Sequence, residues 1–109
     1  KQKIKFKHAS EVPFFVEEVE GQFDLAFIDG NHIDKSIIEN DFNISNRLVR
    51  DGGIILFDDY HPEKFVIKEV ADKILEQNPD FSAELVCFHG HLFDPDRKVE
   101  DYGILVVTK

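Results

Sequence analysis

The sequence has no methionine, no tryptophan and a single cysteine, Cys87, among its 109 residues. One cysteine cannot form an internal disulfide, and this usage is typical of a reducing compartment, so we expect a cytoplasmic protein. No apolar run approaches the ~20 residues that a membrane-spanning helix needs, and no secretory signal is visible, so no membrane association is predicted. Because the first residue is lysine and methionine is absent, we also expect the natural sequence to continue upstream.

Basic residues are scarce relative to acidic ones. Lysine and arginine number 13 against 22 aspartates and glutamates, which gives a formal net charge of −9. Such a surface repels phosphate backbones, so nucleic-acid binding is not expected. The acidity has two interpretations: it keeps the protein soluble, or a few carboxylates converge on a cation. The total charge does not distinguish these two interpretations; the positions of the carboxylates in the sequence must be considered.

Long linkers, repeats and low-complexity tracts are also missing, so residues 1–109 are predicted to form a single domain. Short apolar runs alternate instead with segments of helical period. Strands are predicted at residues 4–7, 23–28, 54–57, 85–88 and 103–107. Helices are predicted after Pro13, between residues 34 and 50 with Asp34 as N-cap, and after Pro62.

This alternation predicts an α/β fold with a parallel sheet. The strands at 23–28 and 54–57 should be parallel neighbours, with the helix at 34–50 crossing between them. Their almost wholly apolar sequences predict that helices cover both faces of the sheet. The last two strands are joined only by a polar loop, so they should pair antiparallel at one side of the sheet.

Acidic residues follow two of these predicted strands: Asp29 after the first, and Asp58 and Asp59 after the second. Ligands of open α/β sheets bind outside the carboxyl ends of the strands, so all three carboxylates could reach one crevice. Converging carboxylates repel unless a cation or proton lies among them, and an all-oxygen ligand set suits Mg²⁺. His32 lies in the same loop region and could act as a base. The alternative is that each acid merely caps a helix or turn.

These residues carry a resemblance to a known family. The segment FDLAFIDGNH, the helix with Asp41, and the segment RDGGIILFDDY resemble class I S-adenosylmethionine-dependent methyltransferases. Within that family they are similar to the small subfamily with Ile-Asp-Gly-x-His and Asp-Asp motifs. The match extends over residues 23–60. It implies a Rossmann-like methyltransferase sheet, mostly parallel with an antiparallel C-terminal strand pair, of which this chain is the C-terminal part without the N-terminal strands.

The resemblance also implies an activity and a site. The activity would be O-methyl transfer from S-adenosylmethionine to a small hydroxylated substrate, assisted by Mg²⁺. In related metal-dependent members, acids matching Asp29, Asp58 and Asp59 hold the metal, and a histidine matching His32 is the catalytic base. Ser10 matches a position near the adenine of the methyl donor, and Asp29 lies at the donor-binding edge.

The chain departs from the family pattern in its first half. The glycine-rich turn that cradles the donor is absent, and His8 and Ala9 stand where the family tends to have Gly-Asp before Ser10. The domain is therefore predicted to be partial. Two functions remain open: part of an active methyltransferase, or a degenerate, non-catalytic domain for binding or assembly. A metal-dependent phosphohydrolase is a distant third.

The missing first strands would leave one edge of the strand at 23–28 without a partner. An exposed edge offers unpaired backbone groups to a neighbour, and natural proteins avoid this. We therefore expect an upstream segment, the strand at 4–7, or a second copy in a homo-oligomer to cover this edge.

Overall fold

A computed structural model of the chain describes residues 16–31, 33–60, 66–87 and 103–109. The described elements are a short 3₁₀ helix (Val16–Val19), β1 (Phe23–Ile28), α1 (Lys35–Leu48), β2 (Val49–Tyr60), α2 (Ile67–Gln77), β3 (Ser82–Cys87) and β4 (Gly103–Thr108). The strand predicted at 4–7 and the start of the first predicted helix lie outside these residues. Within the described part, neither helix has the length and apolarity needed to span a bilayer.

The four described strands form one sheet in the order β1-β2-β4-β3. β1 and β2 are parallel, with Leu25 opposite Ile54 and Ile28 opposite Phe57. β4 runs antiparallel to both β2 and β3. These pairings confirm the predicted parallel neighbours, with α1 between them in the chain, and the predicted antiparallel pair of C-terminal strands.

Helix α1 begins where the sequence predicts. The Asp34 side chain accepts hydrogen bonds from the Ser36 backbone N–H (2.9 Å) and the Ser36 hydroxyl (2.7 Å). Both bonds favour the carboxylate and lower the pKa of Asp34, as expected for an N-cap. Further along the helix, Ile38 and Phe42 are buried, and the Phe42 ring stacks on that of Phe57 with centroids 6.2 Å apart. The local cap and the apolar face therefore fix the helix against β2.

One face of the sheet holds the core. Residues paired across adjacent strands share a face, and the buried side chains of β2 and β4 lie on the same one. Together with the apolar faces of α1 and α2 they form one cluster of buried side chains: Ile28, Ile38, Phe42, Val49, Ile55, Phe57, Ile67, Val70, Ala71, Ile74, Leu105 and Val107. The described core is thus two-layered, with both helices on one side of the sheet.

The opposite face, which we call the open face, is not covered by the described elements. Leu25 and Phe27 of β1 are each 51% exposed, and Ile54, Leu56 and Val106 beside them are partly exposed. The expectation that helices cover both faces is therefore wrong for the described part of the chain. Apolar composition alone does not distinguish a strand that is buried on both faces from one that presents an apolar face outward.

The Gly52–Gly53 pair, which follows the helix predicted between residues 34 and 50, lies inside β2. Gly52 has φ +80°, a conformation that L side chains rarely adopt. Gly53 is required for a different reason. A Cβ there would overlap Val49 Cγ1 and would lie 2.9 Å from the carbonyl oxygens of Arg50 and Asp24. The pair lies where the pairing of β2 with β1 is irregular, between Val49 and Ile54, and close backbone packing accounts for Gly53.

Lys109 fastens the end of the chain to the start of β2. Its side chain is only 11% exposed, and its Nζ donates to the carbonyl oxygens of Asn46 and Val49 at 2.7 Å each. Its backbone exchanges two hydrogen bonds with Gly52 and Gly53. A cation at the last carbonyls of a helix is electrostatically favourable, so Lys109 also stabilises the C-terminus of α1.

Candidate functional site

Three carboxylates converge at the carboxyl end of β1 and β2. Asp29 follows β1 directly, and Asp58 and Asp59 lie near the end of β2. One carboxylate oxygen from each lies within 4.8 Å of the others; Asp29 is exposed and the other two are half-buried. The parallel register accounts for this, because Ile28 and Phe57 are paired and the acids come next in each strand. The structure therefore brings together the three acids that the sequence places at strand ends.

A β-bulge places Asp58 and Asp59 in the same cluster. Phe57 pairs with Leu105 and Tyr60 pairs with Gly103, so β2 advances three residues where β4 advances two. In a regular strand, successive side chains point to opposite faces of the sheet. The extra residue breaks this alternation, as bulges near functional sites often do.

Asp59 has a left-handed backbone conformation with φ +55°, and no other non-glycine residue in the described part of the chain has a positive φ. Aspartate tolerates this region better than most residues, but the conformation is still unfavourable relative to an ordinary strand, by about 1 kcal/mol or more. Such strained residues cluster at functional sites. The strain thus lies on one of the three converging acids.

The donor set fits a hard cation. All three groups are carboxylates, the oxygen ligands that Mg²⁺ and Ca²⁺ prefer. Ligand oxygens on opposite sides of one ion are separated by about 4.2 Å for Mg²⁺ and up to about 5 Å for Ca²⁺. The observed 4.8 Å spread is therefore close to what one ion can bridge after small side-chain rotations. Asp29 and Asp59 also interact with other groups, so the cluster is not three isolated charges.

Tyr60 anchors the end of β2 to helix α2. Its hydroxyl donates to Asp72 Oδ1 at 2.9 Å, and Lys68 forms an ion pair with the other oxygen of Asp72. Burial, together with the hydrogen bond to Asp72 and its negative charge, raises the pKa of Tyr60 to about 12. The phenol therefore stays protonated at physiological pH. Sequence reasoning missed this residue, although its place directly after the Asp58–Asp59 pair was a usable signal.

An open cleft of about 260 Å³ adjoins Asp29 on the α1 side of β1. It is lined by Phe27, Ile28, Asp29, Gly30, Asn40, Asp41, Ile44 and Ser45. A Cβ at Gly30 would lie 3.4 Å from Asp41 Oδ2, which indicates how closely the Asp29–Gly30 turn approaches α1. Partial burial raises the pKa of Asp41. The cleft therefore combines apolar walls with polar groups beside the acid cluster.

Two predicted site residues, Ser10 and His32, lie outside the described residues, and their roles remain predictions. Hydrogen bonds join the described residues on either side of position 32. Asn31 Oδ1 accepts hydrogen bonds from the backbone N–H groups of Ile33 (2.8 Å) and Asp34 (2.7 Å). This side-chain turn links the end of β1 to the N-cap of α1.

Comparison with known proteins agrees with this architecture. The family model described as a methyltransferase domain matches residues 3–60, more than half of the chain. The chain therefore belongs to this methyltransferase domain family. The match includes β1, α1 and β2, and so all three converging acids. No curated protein matches the sequence significantly.

Two solved O-methyltransferases have similar folds. TomG from Streptomyces achromogenes, involved in tomaymycin synthesis and crystallised with S-adenosylmethionine, aligns with a TM-score of 0.63 and 18% identity over 91% of this chain and 45% of its own. The O-methyltransferase from Bacillus cereus, crystallised with S-adenosylhomocysteine, gives 0.59 and 19% over 92% of this chain and 46% of its own. The chain thus spans less than half the length of either protein. The fold is that of a Rossmann-like methyltransferase sheet, present in part.

Proposed function

We propose that the protein is an S-adenosylmethionine-dependent O-methyltransferase that acts on a small hydroxylated substrate with the help of Mg²⁺ bound by Asp29, Asp58 and Asp59. The observation that carries the proposal is the convergence of three carboxylates within 4.8 Å, in a chain of the methyltransferase domain family. The two structural neighbours are O-methyltransferases crystallised with the donor or its product, which supports both the donor and the methyl-accepting atom.

In this proposal the substrate hydroxyl lies beside the acid cluster, at the carboxyl edge of the sheet. A bound Mg²⁺ would orient the substrate oxygen and stabilise its deprotonated form. The bound donor would supply the methyl group: a bond from that oxygen to the methyl carbon would form as the carbon–sulfur bond breaks, and S-adenosylhomocysteine would leave. The proton of the hydroxyl passes to a base, the role proposed for His32. The carboxylates of Asp29, Asp58 and Asp59 would bind the Mg²⁺ ion and thereby position the substrate oxygen.

Ser10 and Asp29 are the residues of this chain that we propose for donor binding. The sequence has no glycine-rich turn of the kind that binds the donor, so the 109-residue chain alone should bind S-adenosylmethionine weakly or not at all. Calorimetric titration of the chain with S-adenosylmethionine tests this. Micromolar binding would mean that the donor site is misplaced.

The metal role is tested by Asp59→Asn, which removes a charge but keeps a side chain that tolerates a positive φ. In the protein with its complete donor site, we expect turnover to fall at least about tenfold and the Mg²⁺ requirement to rise, with donor affinity nearly unchanged. The matched control is Asp80→Asn. Asp80 is an exposed acid that precedes β3, at the opposite end of the sheet, and its substitution should leave turnover unchanged.

Two results would separate the parts of the proposal. If turnover is indifferent both to chelators and to Asp59→Asn, the metal role is wrong and a metal-free methyltransferase remains. If the protein with its complete donor site neither binds the donor nor methylates any hydroxylated acceptor, the proposed activity itself is wrong.

A second candidate function is a non-catalytic domain for assembly, and one observation favours it. Among the described strands β1 is at an edge of the sheet, and Leu25 and Phe27 on its open face are each about half exposed. A second copy could pair along this edge and cover these side chains. Sedimentation analysis of the protein and of Phe27→Glu tests this: a dimer lost in the variant supports assembly, and a monomer in both contradicts it.

A further inference from the structure

Tyr60 lies at the junction between the acid cluster and the core. It is the last residue of β2, directly after Asp58 and Asp59, and it pairs with Gly103 of β4. Its hydroxyl donates to Asp72 Oδ1 at 2.9 Å, and Lys68 holds the other carboxylate oxygen. The end of β2 is thus tied to α2 by a directional contact, in addition to the sheet hydrogen bonds.

This contact depends on the bulge. Leu105 and Gly103 of β4 are two residues apart, so they occupy the same, helix-covered face of the sheet, and their partners Phe57 and Tyr60 lie on that face too. In a regular strand, residues three apart point to opposite faces, and Tyr60 would lie on the open face, away from Asp72. The Tyr60–Asp72 bond therefore forms only when β2 carries one extra residue between Phe57 and Tyr60.

Two further features make an anchor necessary at this point. The left-handed Asp59 is unfavourable relative to a regular strand, so the bulge needs a compensating contact. Gly103, opposite Tyr60, is tightly packed: a Cβ there would lie 2.6 Å from the Val86 carbonyl oxygen. Gly103 thus packs closely against β3, and a contact from Tyr60 to α2 favours the observed register of β2 against β4.

We infer that Tyr60 is a positioning residue, whose hydrogen bond to Asp72 holds the bulge in place and thereby keeps Asp58 and Asp59 in the arrangement that binds a divalent cation. The inference rests on the proposed metal role of these acids. Tyr60 itself has no contact with the metal or the substrate in this scheme; it acts through the two residues that precede it.

The experiment measures Mg²⁺ affinity and Mg²⁺-dependent turnover in the protein with its complete donor site. Tyr60→Phe keeps the ring and removes only the hydroxyl. We expect its apparent Kd for Mg²⁺ to rise about tenfold, with turnover restored at saturating Mg²⁺ and donor affinity unchanged. Lys68→Gln is the matched control, because it removes the ion pair and leaves the Tyr60–Asp72 bond; its Mg²⁺ affinity should stay within about twofold of wild type.

Asp72 supplies the second arm. Asp72→Asn keeps an oxygen that accepts from Tyr60, so its Mg²⁺ affinity should stay closer to wild type than that of Asp72→Leu. Asp72→Leu should match Tyr60→Phe, and combining these two changes should add little, because both remove the same hydrogen bond. Independent, additive losses would contradict the inference.

Other outcomes would also overturn it. If Tyr60→Phe lowers the melting temperature but not the Mg²⁺ affinity, Tyr60 is merely structural. If its turnover stays low at saturating Mg²⁺, Tyr60 acts directly in the reaction. If the wild-type protein neither binds Mg²⁺ nor depends on it, the proposed metal role itself fails. If the wild type binds Mg²⁺ and Tyr60→Phe binds it equally well, only the inference about Tyr60 fails.

Discussion

The two ends of strand β2 are built in different ways. At its beginning, the pairing of β2 with β1 is also irregular, but Gly53 is packed against backbone on two sides, and the nearly buried Lys109 Nζ donates to two carbonyl oxygens. At its end, the strand is interrupted by a bulge, Asp59 has a positive φ, and three carboxylates lie within 4.8 Å of one another. The first end is closely packed and well bonded, whereas the second combines backbone strain with like charges.

Under the proposed function, the beginning of β2 serves stability and its end serves metal binding. Strain and unfavourable charge persist where a site requires them and are compensated elsewhere in the structure. Substitutions at the first end should therefore lower the free energy of unfolding. Substitutions at the second should change activity with little loss of stability, and the following changes test that contrast.

Gly53→Ala should have the largest effect. The added methyl group would overlap Val49 Cγ1 and approach the carbonyl oxygens of Arg50 and Asp24 at 2.9 Å, and backbone cannot move aside as a flexible side chain can. We expect a loss of about 3 kcal/mol in the free energy of unfolding, measured by urea denaturation. Gly21→Ala is the control, because its positive φ is strained but nothing lies within 4 Å; it should lose only about 1 kcal/mol. Equal losses would contradict the packing argument.

Lys109→Met should have the next largest effect. It removes two charge-assisted hydrogen bonds to the carbonyl oxygens of Asn46 and Val49 while keeping most of the apolar stem. We expect a loss of about 1–3 kcal/mol in the free energy of unfolding. Lys73→Met provides the comparison, because it removes an exposed ion pair with Glu39 and should change stability by less than about 1 kcal/mol. If Lys109→Met and Lys73→Met lose the same small amount of stability, the hydrogen bonds from Lys109 to the carbonyl oxygens contribute nothing and the prediction is wrong.

Asp59→Gly tests the opposite end of the strand. Glycine adopts a positive φ readily, which relieves strain, but it also makes the unfolded chain more flexible. The two effects oppose each other, so stability should stay within about 1 kcal/mol of wild type. Mg²⁺-dependent turnover should nevertheless fall at least about tenfold, because the proposed Mg²⁺ site would lose one of its three carboxylates. A large loss of stability in urea denaturation would mean that the Asp59 carboxylate holds the fold together.

Asp41→Asn should have the smallest effect on the free energy of unfolding, and the effect should appear as a change in its pH dependence. Partial burial raises the pKa of Asp41, so between its unfolded value near 3.8 and its higher folded value the folded state binds more protons. The contribution of this group to stability therefore declines as pH rises through that window. Asn does not titrate, so the variant should lack this decline and be slightly more stable at neutral pH. Unfolding free energies from pH 3.5 to pH 7, with Asp80→Asn as control, measure the difference.

Much of the fold could be predicted from the sequence, because its signals are local. The Asp34 cap depends on residues two positions away, and apolar runs bounded by turn residues mark β1 and the centre of β2. Once two such strands flank a helix, parallel pairing follows from the geometry of the connection. Because parallel strands end at the same edge of a sheet, Asp29 and the Asp58–Asp59 pair could also be placed together.

The remaining features depend on contacts between distant segments. The bulge after Phe57 is defined by its pairing with β4, more than 40 residues away, so no local pattern signals it. The Gly52–Gly53 pair is equally typical of a helix end and of a close backbone contact, and only the structure distinguishes them. The hydrogen bond from Tyr60 to Asp72 depends on the bulge and was hidden for the same reason.

The open face of the sheet should affect how readily the protein precipitates. At neutral pH the net charge of −9 opposes non-specific association of copies of the chain, although apolar side chains such as Leu25 and Phe27 are half exposed. Mild acid removes that repulsion as the carboxylates gain protons, and high salt screens it, while the apolar surface remains. Precipitation should therefore begin near the isoelectric point, well before the core unfolds, and substitution of Phe27 by a charged residue should suppress it.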